Sequence, residues 1–441
     1  MFINRFHGFG QNWKNRIRLA AIFLLAAVIF VAYVKRRGDL KGYVAAGAAV
    51  LSGADIYADT EPGLNNWPPF FSLVCVPLAL MDKVSPRLTA GLWMIVDYIL
   101  LWFVLSLVTR LVYGRNLAFR AQGSGIPLAS AGVLVPLLLT FPYILYHMLY
   151  HQVNLLIFLL ALGGLVLQAN ERPLSGGIAL GAAAAMKVMP IAFIPYLAYR
   201  RRWRAAFYAV AAAAAFSLSP ILVFGWRRFW HYAGSWLQIC AHNNWGAGNA
   251  NQSLYAMWDR ILGHGLVPFI MQGPYDLPMS HEPRVTLAWG LTLAVTALVV
   301  LFAFRGLSPA GSTCALVEWS VIFLISAVFG PVGWKHYLIV LILPNAMLYA
   351  AWRSRDIDSR TRRIAGAILL VCFLLGVSAS RDLVGKSLAD RLQSGSVVTD
   401  AALIMFAGLL WFRRRLYVRK FPRLNPVDPL AEAQIRSLPA R

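Results

Sequence analysis

An all-α, polytopic membrane bundle of about twelve helices is what this sequence predicts, on three observations. Hydrophobic residues fill 59% of the 441 positions and charged residues only 13%, about half the ~25% charged share of an average chain. The apolar residues gather into long runs separated by short polar segments. The Lys and Arg behind the formal net charge of +23 sit in small clusters between those runs rather than on one polar domain. That placement argues against a nucleic-acid partner and for membrane topology signals.

A hydrocarbon core ~30 Å thick takes roughly 17–25 apolar residues per helix. Candidate spans lie near 19–34, 68–82, 88–112, 127–146, 152–169, 174–199, 205–225, 285–304, 314–329, 336–352, 364–380 and 398–413. The first follows Arg16 and Arg18 and resembles a signal peptide; lacking an obvious small-x-small cleavage site, it reads as an uncleaved span. The second is short and opens at Pro68-Pro69, and the fourth is interrupted by Pro136 and Pro142, so a re-entrant path is open for either. With a cytoplasmic N-terminus, strict alternation places the basic clusters at 200–204, 353–363 and 413–420 inside, as the positive-inside rule requires. It leaves Lys35, Arg36, Arg37, Arg110, Arg115 and Arg120 outside, as signs of miscounted spans or as functional cations. Residues 1–420 read as one membrane domain, and the Pro-rich stretch 421–441 as a disordered cytoplasmic tail. Three of the four cysteines fall inside apolar runs and Cys240 stands alone, so no disulfide framework is predicted.

Three polar segments face outward on this map: 35–67, 226–284 and 330–335. In the first, Asp39 and Tyr43 stand four apart and are followed by small and apolar residues, which suits a short interfacial helix begun by Asp39. A carboxylate at a helix N-terminus is held ionised by the dipole, the state a general base needs; the alternative is a plain N-cap. Trp67-Pro68-Pro69 starts the next helix, because Pro in a first turn removes only an orphan donor. Lys187 lies in an otherwise apolar run, where a cation is costly and so functional by default. It either contacts phosphate or pairs with Asp97. His336, beside Trp334 and Lys335, has the donors to hold a phosphate, or is an incidental member of an interfacial aromatic belt. The aromatic, amide-rich segment from Trp226 suits sugar faces, and equally suits packing at a membrane surface. His147 and His151 share a helical face without further ligands, so no metal is expected. With neither a P-loop nor a dinucleotide fingerprint, no cofactor is expected either.

Taken in chain order, a set of short segments resembles glycosyltransferase family 87. They are Asp39-Leu40-Lys41-Gly42-Tyr43 (the family's D-L-x-x-Y), Gly53 to Tyr57 (G-x-x-x-Y) and Trp67-Pro68-Pro69 (Y-P-P, with Trp for Tyr). His151-Gln152-Val153-Asn154 (G-Q-x-N, with His for Gly), Gly177 to Pro190 ending in K-x-x-P, Asn251-Gln252-Ser253 with Arg260 (N-x-S), and Trp334-Lys335-His336-Tyr337 (W-x-H-Y) follow. The likeness covers residues 35–345. Members are integral-membrane enzymes of the GT-C type that move mannose, or in some cases arabinose, from polyprenyl phosphate. The resemblance therefore implies an inverting sugar transferase with a polyprenyl-phosphate donor, a glycolipid or glycan acceptor and an active site on the non-cytoplasmic face. It implies Asp39 as base and Lys187, Lys335 and His336 around the donor phosphate. Tyr43, Asp55, Tyr57, Gln152, Asn154, Asn251, Gln252, Ser253, Arg260 and Trp334 become candidate substrate contacts. A transporter or flippase of a lipid-linked glycan is the rival, with Lys187 and Asp97 lining a path. The enzyme reading requires Asp39 and His336 to share one pocket.

Overall fold

The computed structural model describes residues 3–58, 65–119, 125–242, 249–264, 281–304, 308 and 312–419; the predicted tail 421–441 and Arg120 lie outside them. Every predicted apolar run is helical. Among the described residues, five helices are long and apolar enough to cross a membrane, or up to seven if each of two bent pairs is one span. Many of their large apolar side chains are exposed, including Phe23, Leu24 and Val31 on the first helix and Leu293 and Leu301 on a later one. Rows of that kind are compatible with hydrocarbon rather than water around them. The molecule is a helical membrane protein.

Helix α1 (Ile3–Tyr33) ends in a left-handed turn at Arg37 (φ 58°) and Gly38 (φ 37°). A Cβ on Gly38 would meet the Tyr150 backbone at 2.5 Å, so only Gly lets the chain pass there. Asp39 follows as the N-cap of α2 (Leu40–Ser52). Pro68 and Pro69 then start α3 (Pro69–Val74), which breaks at Cys75 and continues as α4 (Val76–Val84). Arg37 pairs with Asp82 at the far end of α4, and Trp67 before α3 packs edge-on to Tyr43 at 4.7 Å. Both ends of the α3–α4 run therefore sit at the Asp39 end of the molecule. The second apolar run turns back rather than traversing the bundle.

This corrects the alternation. Helix α5 (Pro86–Tyr113) runs antiparallel to α1, with Gly91 against Phe30, Tyr98 Oη donating to the Ala26 carbonyl at 2.7 Å, and Trp102 stacked on Phe119, itself beside Phe23. Arg110 in its last turn and Arg115 just beyond it thus lie at the Arg18 end, not the Asp39 end. There β1 (Leu117–Ala118) pairs in parallel with β2 (Ile126–Pro127), and Arg18 reaches the Ala129 carbonyl at 3.5 Å. Helix α6 (Ala131–Tyr150) returns, and the Tyr150 carbonyl accepts from the Asp39 amide at 2.9 Å. Residues 147–152, which strict alternation from the second run placed opposite Asp39, are beside it.

The run 174–199 is not one helix. Helices α7 (Asn154–Ala169) and α8 (Pro173–Met186) form a hairpin, and α8 stops at Lys187, whose backbone is extended (φ −152°, ψ 121°). A 3₁₀ turn, Met189–Ala192, and α9 (Phe193–Tyr199) carry the chain back toward Arg200. Helix α8 then lies along α10 (Trp203–Leu218), where a Cβ on Gly177 or Gly181 would come within 2.5–2.6 Å of Tyr208 or Ala212. Close backbone approach through small residues is how apolar helices gain van der Waals contact in lipid, where hydrophobic association is weak. Gly181→Leu should wedge this pair apart and cost about 1–3 kcal/mol, checked as a lowered unfolding temperature in detergent.

Helix α11 (Ile221–His242) is bent 84° from α10 and contains a non-helical Gly225 (φ 74°). Then come α12 (Leu254–His264), α13 (His281–Ala303) and α14 (Thr313–Val328). The 3₁₀ segment Lys335–Leu341 runs into α15 (Ile342–Arg353), followed by α16 (Ser359–Ser378), α17 (Arg381–Val384), α18 (Lys386–Ser394) and α19 (Val397–Arg419). Buried α14 is the bundle's axis, apolar all round as a fully enclosed helix must be. Its one carboxylate, Glu318, is fully buried and held by Arg200, by Arg413 at 2.8 Å and by Tyr196 Oη at 2.9 Å. A buried carboxylate needs such partners.

Candidate active site

The site is built at the end of α1 by chain reversals. The turn at Arg37 and Gly38 swings Asp39 against the last turn of α6, and the side chain of Asp39 is not used as a cap. Instead its Oδ2 accepts from Gln152 Nε2, a residue in the sharp α6–α7 connection where His151 is left-handed (φ 50°). Burial pushes the Asp39 carboxyl above its ordinary range, and the Gln152 hydrogen bond and the Lys187 charge pull it partly back. The sequence-based expectation of a dipole-stabilised capping carboxylate is thus replaced by a partly desolvated one.

Asn154, the first residue of α7, joins three neighbours. Its Oδ1 accepts from Lys187 Nζ at 2.7 Å, and its Nδ2 faces Gln152 Oε1 at 3.5 Å and the His336 carbonyl at 3.4 Å. Two neutral amides therefore stand between a carboxylate and an ammonium. An amide donates on one side and accepts on the other, so the row holds Asp39 and Lys187 near each other without a direct ion pair between them. Lys187 also stands 4.4 Å over the Tyr337 ring. It does not pair with Asp97, whose fully buried carboxylate faces His147 Nε2 at 3.3 Å.

His336 is 6% exposed, and its Nδ1 has no hydrogen-bond partner in the structure. Its ring stacks on Tyr146 (5.9 Å between centroids, 17°) and lies edge-on to Tyr337 at 4.9 Å. Asp39, Gln152, Asn154, Lys187 and His336 are accordingly brought into one constellation from four distant parts of the chain. Lys335 points elsewhere: Nζ donates to the Ala379 carbonyl at 3.2 Å and lies 4.2 Å over Tyr146. Trp334 caps the 3₁₀ segment and is half-buried, 6.5 Å from the His336 ring.

Other candidates take supporting positions. Tyr43 is fully buried among Trp67, Phe71 and Trp93, so its ring packs α2 rather than facing an opening. Asp55 accepts from the Tyr57 amide at 2.8 Å and faces His231 at 3.4 Å, while Tyr57 Oη donates to the Trp67 carbonyl at 2.6 Å. With Tyr232 Oη donating to the Ala54 carbonyl at 3.2 Å, they tie the segment after α2 onto α11. Asn251 grips the turn before His336: Nδ2 donates to the Pro331 carbonyl and Oδ1 accepts from the Gly333 amide, both at 2.9 Å. The Gln252 amide donates to the Gly333 carbonyl at 2.8 Å, and the Ser253 hydroxyl donates to Pro331. Arg260 donates to Ser396 Oγ and, at 2.7 Å, to the Asn251 carbonyl. All four are buried; they position the 330–336 turn.

A Cβ on Gly333 would lie 2.6 Å from the Ser253 amide nitrogen, a backbone atom that cannot rotate away. Gly333→Ala should displace the turn that carries His336. Since a misplacement near 1 Å costs on the order of 10²-fold in rate, turnover should fall at least tenfold with the helical content unchanged, read by parallel activity and circular dichroism. Sequence reasoning left out Tyr146 and Tyr150, which bracket His336. Their i, i+4 spacing directly before His151-Gln152 was the available signal.

A sequence model of Glycosyltransferase family 87 matches residues 66–339. A polyprenol-phosphate-mannose-dependent alpha-(1-2)-phosphatidylinositol mannoside mannosyltransferase of Mycolicibacterium smegmatis is 25% identical over 95% of either chain. The Mycobacterium tuberculosis protein of the same description is 23% identical over 82% of this chain and 83% of its own. A phosphatidylinositol pentamannoside mannosyltransferase of M. smegmatis, also polyprenol-phosphate-mannose-dependent, is 28% identical over 77% of this chain and 75% of its own. No solved structure matches. The family match spans more than half the chain and takes in Gln152, Asn154, Lys187 and His336, and on it this chain belongs to glycosyltransferase family 87.

Proposed function

We propose that this protein transfers mannose from a polyprenyl-phosphate donor to a glycolipid acceptor, with inversion, in a bundle of the GT-C type. The row Asp39–Gln152–Asn154–Lys187, in which Asn154 also reaches the His336 carbonyl and so adjoins the residue whose Nδ1 is without a partner, carries the reading. An acceptor hydroxyl gives its proton to Asp39 as its oxygen bonds to the anomeric carbon. The bond from that carbon to the phosphate oxygen breaks, and its electron pair stays on the lipid phosphate. Lys187 and His336 Nδ1–H stabilise that developing charge, where fixed donors are most effective. The two intervening amides prevent base and cation from quenching one another. The names of the relatives supply the mannose and the lipid phosphate.

Two further features support a prenyl-linked donor delivered from the membrane. A narrow apolar crevice of about 20 Å³ begins at Asn154 and Tyr337 and is walled by Ile157, Phe158, Phe193 and Phe323, a lining whose polarity suits the first carbons of a prenyl tail. Arg18, Arg110, Arg115, Arg200 and Arg413 lie toward the end opposite Asp39, which supports a non-cytoplasmic Asp39 under the positive-inside rule, with Lys35, Arg36 and Arg37 as the exceptions. We infer twelve passes, counting α9 and α15 with their 3₁₀ turns and omitting α3–α4. The transporter reading has Lys187 and Asp97 lining a path; here Asp97 faces His147 and Lys187 donates to Asn154 beside Asp39, an arrangement that favours the transfer reading.

The test is transfer by the purified chain in lipid nanodiscs, given polyprenyl-phosphate mannose and a phosphatidylinositol mannoside. An α-linked mannosyl product supports the assignment, and no product with either lipid bound overturns it. The pH profile adds a signed expectation. Protonated Asp39 accepts no proton, and burial raises its pKa. The acid limb of kcat/KM should therefore fall as pH drops through a value above the ~3.9 of a solvated Asp.

A further inference from the structure

A second opening lies beside the reaction site. It is a cavity of about 180 Å³ between the end of α1, α6, the Lys335 segment and the α16–α17 junction. Three cations line it, Arg36, Lys335 and Arg381, against a single carboxylate, Asp382. Arg381 is shared with Asp390 at 2.6 Å. Lys335 is 4% exposed; its Nζ donates to the Ala379 carbonyl and lies over the Tyr146 ring face. An ammonium has three donors, so capacity is left over. A buried cation with no carboxylate in ion-pair contact is costly unless a charge from outside completes it.

We propose that this cavity binds the phosphate ester of a lipid substrate, as an anionic subsite separate from the one at Lys187 and His336. Its volume is short of the roughly 300–1,000 Å³ that drug-sized ligands occupy, but it suits one phosphate group. Arg36 directly follows α1, and Arg381 follows α16. Both cations thus sit where apolar helices end, and Arg and Lys together recognise phosphate through charge-assisted hydrogen bonds. Tyr146 and Tyr150 line the cavity and flank His336, so a headgroup held here is next to the transfer site. The purpose of the subsite rests on the transfer reading, in which the anchored phosphate belongs to the acceptor lipid or to the donor lipid. Its existence does not.

The experiment measures lipid retention by native mass spectrometry on the full chain, without turnover. The probes are phosphatidylinositol, decaprenyl phosphate and, as a phosphate-free comparator, monogalactosyldiacylglycerol. Arg36 and Arg381 are exposed, so Arg36→Gln with Arg381→Gln leaves the fold intact, with elution volume as the check. This pair should lower retention of phosphatidylinositol on the order of tenfold, as loss of charge-assisted hydrogen bonds does, and leave the comparator unchanged. Lys335→Met is the second variant and should do the same. A selective loss of decaprenyl phosphate instead assigns the subsite to the donor. Unchanged retention of both phosphate lipids, or an equal loss of the comparator, overturns the proposal. Absence of mannosyl transfer by the unaltered chain would overturn the function above while leaving this binding result standing.

Discussion

Asp39→Asn should lower mannosyl transfer by about 10²–10⁴-fold, the usual worth of a positioned general base, while donor binding persists. The substitution is nearly isosteric, and an Asn Oδ1 in place of the carboxylate oxygen still accepts from Gln152 Nε2. The Asp39 amide bond to Tyr150 and the start of α2 involve only backbone. What disappears is the ability to take a proton. The expected signature is a collapse of kcat with little change in the donor's dissociation constant, measured by single-turnover kinetics and by retention of labelled donor. Transfer at the normal rate would remove Asp39 from the chemistry.

Lys187→Met should be the next most damaging change, with kcat falling on the order of 10²–10³-fold, as on removal of a charge-stabilising donor. Met fills the volume of the lysine stem, so the α8–α9 break should survive. Asn154 Oδ1 loses its donor, which costs about 1–3 kcal/mol of stability. A second readout separates this electrostatic role from a packing role. The Lys187 charge holds the Asp39 pKa down, so its removal raises that pKa further. The acid limb of kcat/KM in the remaining activity should then move to higher pH. An unshifted limb would mean that the ammonium does not act on Asp39.

Asp39 and His336 lie nearly three hundred residues apart, and their resemblance to family motifs was enough to pair them. The amides were named as well, since Gln152 and Asn154 belong to the same motif. Their position as spacers between a carboxylate and an ammonium was not legible, because it depends on which atom of each side chain faces which neighbour. The structural part of Asn251, Gln252, Ser253 and Arg260 was hidden for a related reason. Polar residues in an outward segment look like substrate contacts, yet here they satisfy the backbone of the 330–336 turn, an obligation invisible until the two segments meet.

Apolar run length fixed by itself that this chain is a helical membrane protein, because each run must satisfy its backbone internally wherever water is absent. Residue type and order also singled out Asp39, Lys187 and His336 as candidates. Direction through the bundle was left to tertiary structure. Hydropathy is the same for a helix that crosses, one that turns back and one that breaks at a lysine. The Arg37–Asp82 pair, the antiparallel packing of α5 on α1 and the bond from Lys187 to Asn154 decide among these. They also bring Asp39, Lys187 and His336 to the same end of the molecule.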